Sequence, residues 1–105
     1  MMTRKKITII GGSGGMGKVF GRYFKRHDFE VTIYARNKER LKAVATEIGV
    51  NYEFSLERSV KQADIVMITI PIKSTPEIIK KIGPYLKENA LIFDITSIKK
   101  QYSKP

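Results

Sequence analysis

The 105-residue sequence contains no cysteine and a single histidine, His27. The missing thiols exclude disulfide frameworks and cysteine-bound zinc, and a lone histidine excludes a multi-histidine centre, so no metal site is expected. A cytoplasmic location is the default expectation for such a chain. No apolar run approaches the roughly eighteen residues needed to cross a membrane. The apolar stretch that opens at Lys6 begins as a signal peptide would. It breaks into glycines after Ile10, however, and lacks a small-residue cleavage pattern, so it reads as a buried strand. Acids are also scarce: ten Asp and Glu stand against twenty Lys and Arg, a net charge of +10.

What is present suits one globular domain, with 42% hydrophobic residues to build one core. The positive excess suits an acidic substrate, a phosphorylated cofactor or nucleic acid. Against nucleic acid, the cations are spread along the whole chain. The aromatics among Lys18, Arg22, Lys25 and Arg26 fall at helical spacing instead: Met16, Val19, Phe20, Tyr23 and Phe24 recur at three and four, predicting a buried helix face. Phosphate steering is the favoured use of the charge.

Strand-like and helix-like segments alternate. Strands are predicted near 6–10, 30–34, 51–54, 65–70 and 90–95, from short apolar, β-branched runs bounded by turn residues. A helix from Gly15 to about His27 follows the first. Asn37 is placed to cap a second helix, with Leu41, Val44, Ala45 and Ile48 facing inward and Gly49 ending it. Ser55 caps a short helix reaching about Lys61. Ser74 and Glu77 fit a capping box for a further helix, with Pro76 in its first turn, Ile78, Ile79 and Ile82 inward, and Gly83 and Pro84 stopping it. Repeated units of this size predict an α/β domain, a Rossmann-like parallel sheet with helices on both faces.

The strongest motif is Gly11-Gly12-Ser13-Gly14-Gly15-Met16-Gly17. Gly12, Gly14 and Gly17 satisfy G-x-G-x-x-G directly after a strand and at the opening of a helix. Gly12 then serves the tight turn, Gly14 the close approach of a pyrophosphate and Gly17 the packing of helix on sheet, while the helix amino terminus offers free N–H groups. Ser13, Gly15 and Met16 join the same cofactor-binding loop. Gly21 extends the small face. A Walker loop is excluded, because Val19 stands where Lys18 would need a following serine or threonine.

The second strand ends in Ala35-Arg36-Asn37-Lys38, with Arg40 nearby. An NAD site would place an acid there for the ribose hydroxyls. Arg36 instead suits a 2'-phosphate, with Asn37, Lys38 and Arg40 adding polar and charged support, so NADP is preferred and NAD is the alternative. Ile70-Pro71-Ile72 ends the fourth strand as either a structural turn or an apolar wall against the cofactor. Asp94-Ile95-Thr96-Ser97-Ile98-Lys99 ends the fifth. Ser97 is a candidate for substrate or nicotinamide contact and Lys99 for an acidic substrate, with a capping serine and a solvated lysine as the alternatives.

On the glycine loop, Ala35-Arg36-Asn37, Ile70-Pro71-Ile72 and above all Asp94 to Lys99, the chain resembles the nucleotide-binding half of prephenate dehydrogenases, particularly the archaeal type. The first three features are shared with many dehydrogenases of the 6-phosphogluconate-like group. The resemblance implies oxidative decarboxylation of prephenate to 4-hydroxyphenylpyruvate in tyrosine synthesis, with hydride passing to NADP or NAD. It also implies a Ser97 near the reacting hydroxyl of the substrate. The family's catalytic histidine and helical dimerisation domain lie downstream of that motif and beyond Pro105, so the chain alone is expected to bind cofactor without turning over substrate. His27 is no substitute, since it closes the first helix away from the expected ligand edge. Two other readings stand beside this one: a different 6-phosphogluconate-like or deazaflavin-linked oxidoreductase, and a non-enzymatic nucleotide-sensing module.

Overall fold

A computed structural model describes residues 4–11, 14–70 and 75–95. In chain order these form β1 (Lys6–Ile10), α1 (Gly15–Arg26), β2 (Glu30–Tyr34), α2 (Lys38–Ile48), β3 (Asn51–Tyr52), α3 (Leu56–Val60), β4 (Ile65–Ile68), α4 (Thr75–Ile82), a 3-10 turn at Gly83–Tyr85 and β5 (Leu91–Asp94). The strands make one parallel sheet in the order β3-β2-β1-β4-β5. Parallel neighbours require crossovers, and the helices supply them, covering both faces of the sheet as the alternating pattern predicts.

Side chains alternate across the sheet. Ile7 and Ile9 of β1, Val31 and Ile33 of β2 and Met67 of β4 pack with Leu41, Val44, Ala45 and Ile48 of α2, and with the half-buried Phe20 and Phe24 of α1. Ile10, Val66 and Ile68 face the other way, onto Leu56 and Val60 of α3, Ala63 and Ile82 of α4. β1 is buried on both sides, as a near-continuous apolar strand in a parallel sheet should be. Among the described residues, no helix is long and apolar enough to cross a membrane.

Four expectations need correction. β3 covers two residues rather than 51–54, because the chain gives one further bond, Glu53 N–H to the Ile33 carbonyl, before Ser55 caps α3. β4 ends at Ile68 rather than 70, because both the amide and the hydroxyl of Thr69 donate to the Ile10 carbonyl, each at 2.9 Å, and bend the chain toward β1. The face of α1 is also turned. Met16, Val19 and Tyr23 are exposed, and the helix buries Gly17 and Gly21, flanked by Phe20 and Phe24. A Cβ on Gly21 would lie 2.8 Å from Ile48 Cδ1, so the two helices meet through the missing side chain. On α4, Ile82 is inward and Ile79 is exposed. Ser74 of the expected capping box lies outside the described residues.

At the amino end of the sheet Asp64 fastens three elements. Its carboxylate accepts the Lys6 amide at 2.7 Å and pairs with the Lys87 ammonium, its own amide donates to the Lys6 carbonyl, and its carbonyl accepts from Leu91. The Lys87 ammonium, ahead of the Lys6 amide, holds the Asp64 carboxyl below the usual carboxylate range.

Candidate functional site at the carboxyl end of the sheet

The chain leaves β1 toward β2 on one side and returns through β4 and β5 on the other. The loops after β1 and β4 therefore diverge, opening a crevice at the carboxyl ends of these strands, where doubly wound sheets take their ligands.

Gly11 forms the floor of that crevice. Its φ is +89°, and a Cβ there would sit 2.7 Å from Thr69 Oγ1 and 2.8 Å from Ile70 Cγ2, so neither the backbone conformation nor the space admits a side chain. Its amide donates to the Tyr34 carbonyl at 2.7 Å and its carbonyl accepts from Gly14 at 3.1 Å, tying the loop to the end of β2 and turning it into α1. Gly14 is the N-cap of α1, with no side-chain cap and no acid in the first turn. The first bond of the helix runs from Lys18 to Gly14. The amides of Gly15, Met16 and Gly17 precede it, at the positive end of a dipole that no carboxylate offsets. Gly17 is buried where the helix meets the sheet. Gly12 and Ser13 lie outside the described residues.

Beside this loop is a cavity of about 470 Å³. Gly11, Arg36, Asn37, Arg40 and Ile70, five residues singled out from the sequence, line it together. Asn37 does so while acting as a cap: its Oδ1 accepts the Arg40 amide at 3.0 Å. That leaves Arg36 and Arg40 as the charged members of this wall, both exposed. Lys38 is turned elsewhere, with its ammonium 5.6 Å above the Phe54 ring. Pro71, Ser97 and Lys99 lie outside the described residues. His27 ends α1 at the opposite edge, with its ring 4.3 Å from that of Tyr23.

The cavity also includes residues to which the sequence pattern assigns no binding role: Tyr34, Leu56, Glu77, Ile78 and Lys81. Leu56, Ile70 and Ile78 give it an apolar lining, and α4 brings Glu77 and Lys81 to it one turn apart. The four-residue spacing of these two was a usable signal, because a crossover helix starts at the carboxyl end of the strand before it. A second hollow of about 380 Å³, with Lys6, Glu30 and Arg58 in its lining, lies against the amino halves of β1 and β2, away from the helix amino termini.

Sheet order, glycine turn and crevice together define a nucleotide-binding domain of the Rossmann class. Comparison with known proteins narrows that class. The family model described as prephenate dehydrogenase, nucleotide-binding domain, matches residues 20–105, and the chain belongs to that family. It is 41% identical over 102 residues to the "Probable arogenate/prephenate dehydrogenase" of Methanocaldococcus jannaschii, covering 97% of this chain and 23% of that protein. It is 36% identical over 96 residues to the T-protein of Haemophilus influenzae, covering 91% of this chain and 22% of that protein. The chain thus spans less than a quarter of the length of either relative. Among solved structures, Synechocystis arogenate dehydrogenase superposes with a TM-score of 0.81 at 21% identity, over 95% of this chain and 36% of that one. Prephenate dehydrogenase from A. aeolicus, in complex with hydroxyphenyl propionate and NAD+, gives 0.75 at 24%, over 89% and 34%. These two likenesses establish the fold.

Proposed function

We propose that this chain is the NADP-binding domain of a prephenate dehydrogenase of the archaeal type, whose complete form oxidatively decarboxylates prephenate to 4-hydroxyphenylpyruvate. The observation that carries the cofactor reading is the wall at the end of β2, where Arg36 and Arg40 line the cavity and the strand end supplies no carboxylate. A carboxylate at that point would repel a 2'-phosphate, whereas a guanidinium pairs with it through two parallel N–H donors. The pyrophosphate is assigned to the Gly12, Gly14 and Gly17 loop and the amides that open α1. Lys38, held over Phe54, is left out of the site.

When bound, the nicotinamide supplies a hydride acceptor. The protein's part is to orient it, with Ile70 and Pro71 proposed as the apolar wall, Ser97 as the contact to the substrate hydroxyl and Lys99 as a partner for a substrate carboxylate. The catalytic histidine and the dimerisation domain are assigned to sequence beyond the present chain. The 41% identity with the M. jannaschii relative favours the archaeal type. Because that relative's name joins arogenate to prephenate, arogenate is the second substrate reading.

Calorimetric titration with NADP and NAD in parallel tests the cofactor assignment. The wild type is expected to prefer NADP, and Arg36→Ala to lose that preference. A folded wild-type chain that binds neither dinucleotide, or an Arg36→Ala variant that keeps the preference, overturns it.

A further inference from the structure

We infer that the Thr69 hydroxyl aims the glycine loop at the pyrophosphate of the bound dinucleotide, which makes Thr69 a positioning residue acting through the backbone of Ile10 and Gly11. The inference rests on the dinucleotide reading above and adds to it what sets the direction of the loop. Thr69 is the first polar side chain after the apolar run of β4, and it is half-buried. Its amide donates to the Ile10 carbonyl at 2.9 Å and extends the β1–β4 ladder by one bond. That bond already completes the strand pairing. The hydroxyl adds a second donor to the same oxygen, also at 2.9 Å, and the two lone pairs of a carbonyl accommodate both. Because threonine is branched at Cβ, few rotamers are open to it and the hydroxyl is held in place.

The carbonyl of Ile10 and the amide of Gly11 belong to one rigid peptide plane. Thr69 holds the oxygen of that plane from the β4 side, and the Tyr34 carbonyl holds its N–H from the β2 side at 2.7 Å. Among the described residues, Thr69 is the one side chain that hydrogen-bonds this plane. The path to the phosphate site starts there. Gly11 turns off the plane with a φ of +89°, its carbonyl accepts the Gly14 amide at 3.1 Å, and Gly14 caps α1. The amides of Gly15, Met16 and Gly17 therefore take their direction from a plane whose tilt the hydroxyl fixes. Hydrogen bonds weaken steeply with angle, so a small tilt at Ile10 is felt at the phosphates. Thr69 Oγ1 also lies 2.7 Å from the place of a Gly11 Cβ, so the hydroxyl fits against the bare α-carbon of the residue it orients.

Arg36 and Arg40 reach the cavity from the end of β2 and from α2, by a route that does not pass through this plane. Loss of the hydroxyl should therefore weaken a ligand that carries the pyrophosphate and spare one that carries only the 2'-phosphate.

The test is titration of the chain with NADP and with adenosine 2'-monophosphate, followed by amide NMR, in the wild type and in Thr69→Val, Thr69→Ala and Thr69→Ser. Valine keeps the shape without the hydroxyl, and alanine removes any crowding of Gly11 by the new methyl group. Both are expected to weaken NADP by about fivefold, the effect of one hydrogen bond, and to leave adenosine 2'-monophosphate within about twofold of wild type. Serine restores the donor and is expected to bind NADP within about twofold of wild type. The Gly11 amide resonance is expected to move in the valine and alanine variants and to hold its position in serine. Unchanged NADP affinity in both hydroxyl-free variants, an equal loss for the two ligands, a serine variant as weak as alanine, or an unmoved Gly11 resonance overturns the proposal while the dinucleotide reading stands. Binding of neither ligand by the folded wild type removes that reading and this inference with it. Arg36→Ala is the separating control, expected to weaken both ligands and to leave the Gly11 resonance in place.

Discussion

At the residue scale, two positions at opposite ends of the sheet set limits of different kinds. Gly11 combines a φ of +89° with neighbours 2.7 and 2.8 Å from any added Cβ. Gly11→Ala is therefore expected to cost about 3 kcal/mol in urea denaturation, summing backbone strain and overpacking. Gly14→Ala, whose Cβ would meet its nearest neighbour at 3.5 Å, is expected to cost about 1 kcal/mol through the weaker N-cap. Equal losses at the two glycines would refute this account of the loop. Asp64 acts through protonation. Its carboxyl titrates lower in the folded chain than in the unfolded one, so its stabilisation is complete above the unfolded pKa and fades as pH falls through the folded value. Thermal melts of Asp64→Asn are thus expected to lie below wild type at neutral pH, with the gap closing below about pH 4. A gap independent of pH would assign the loss to packing.

At the scale of elements, the strands and helices were legible because each apolar run carries its own period and its own stop. Asn37, Ser55 and Gly49 hold the capping positions their side chains and backbone suit: Asn37 and Ser55 accept the amides of Arg40 and Arg58, and Gly49 takes a φ of +72°. The face of α1 was misread for a physical reason. Hydrophobic periodicity weighs large side chains and gives glycine no weight, yet close approach to α2 and the sheet selects Gly17 and Gly21 for the contact and turns Met16, Val19 and Tyr23 outward. Val19→Lys is accordingly expected to change stability by no more than about 0.5 kcal/mol. Ile33→Ala, fully buried in β2, is expected to cost about 3 kcal/mol in the same denaturation assay. A severe loss at Val19 would restore the stripe first read from the sequence. The cavity was half legible, since Arg36, Asn37 and Arg40 follow one strand end in sequence. Glu77 and Lys81 join them through the crossover that lays α4 beside that end; their four-residue spacing marks one helix face but not the strand end that this face meets.

At the scale of the whole molecule, the sheet has a centre that is finished late. β1 pairs with β2 in the first strand-helix-strand unit, but its other edge waits for β4, whose clasp joins Lys6 to Asp64 across 58 residues. Closing so long a stretch is the slow part of building a parallel sheet. The crevice lies along that second edge and does not exist before it closes. A nucleotide held there is therefore a brake on unfolding and no catalyst of folding. Stopped-flow measurements are expected to show NADP lowering the unfolding rate and leaving the refolding rate unchanged. A faster refolding limb would mean that the β1–α1–β2 unit captures the nucleotide before β4 arrives. In the time domain, the order in which the strands join decides when the protein first becomes able to bind.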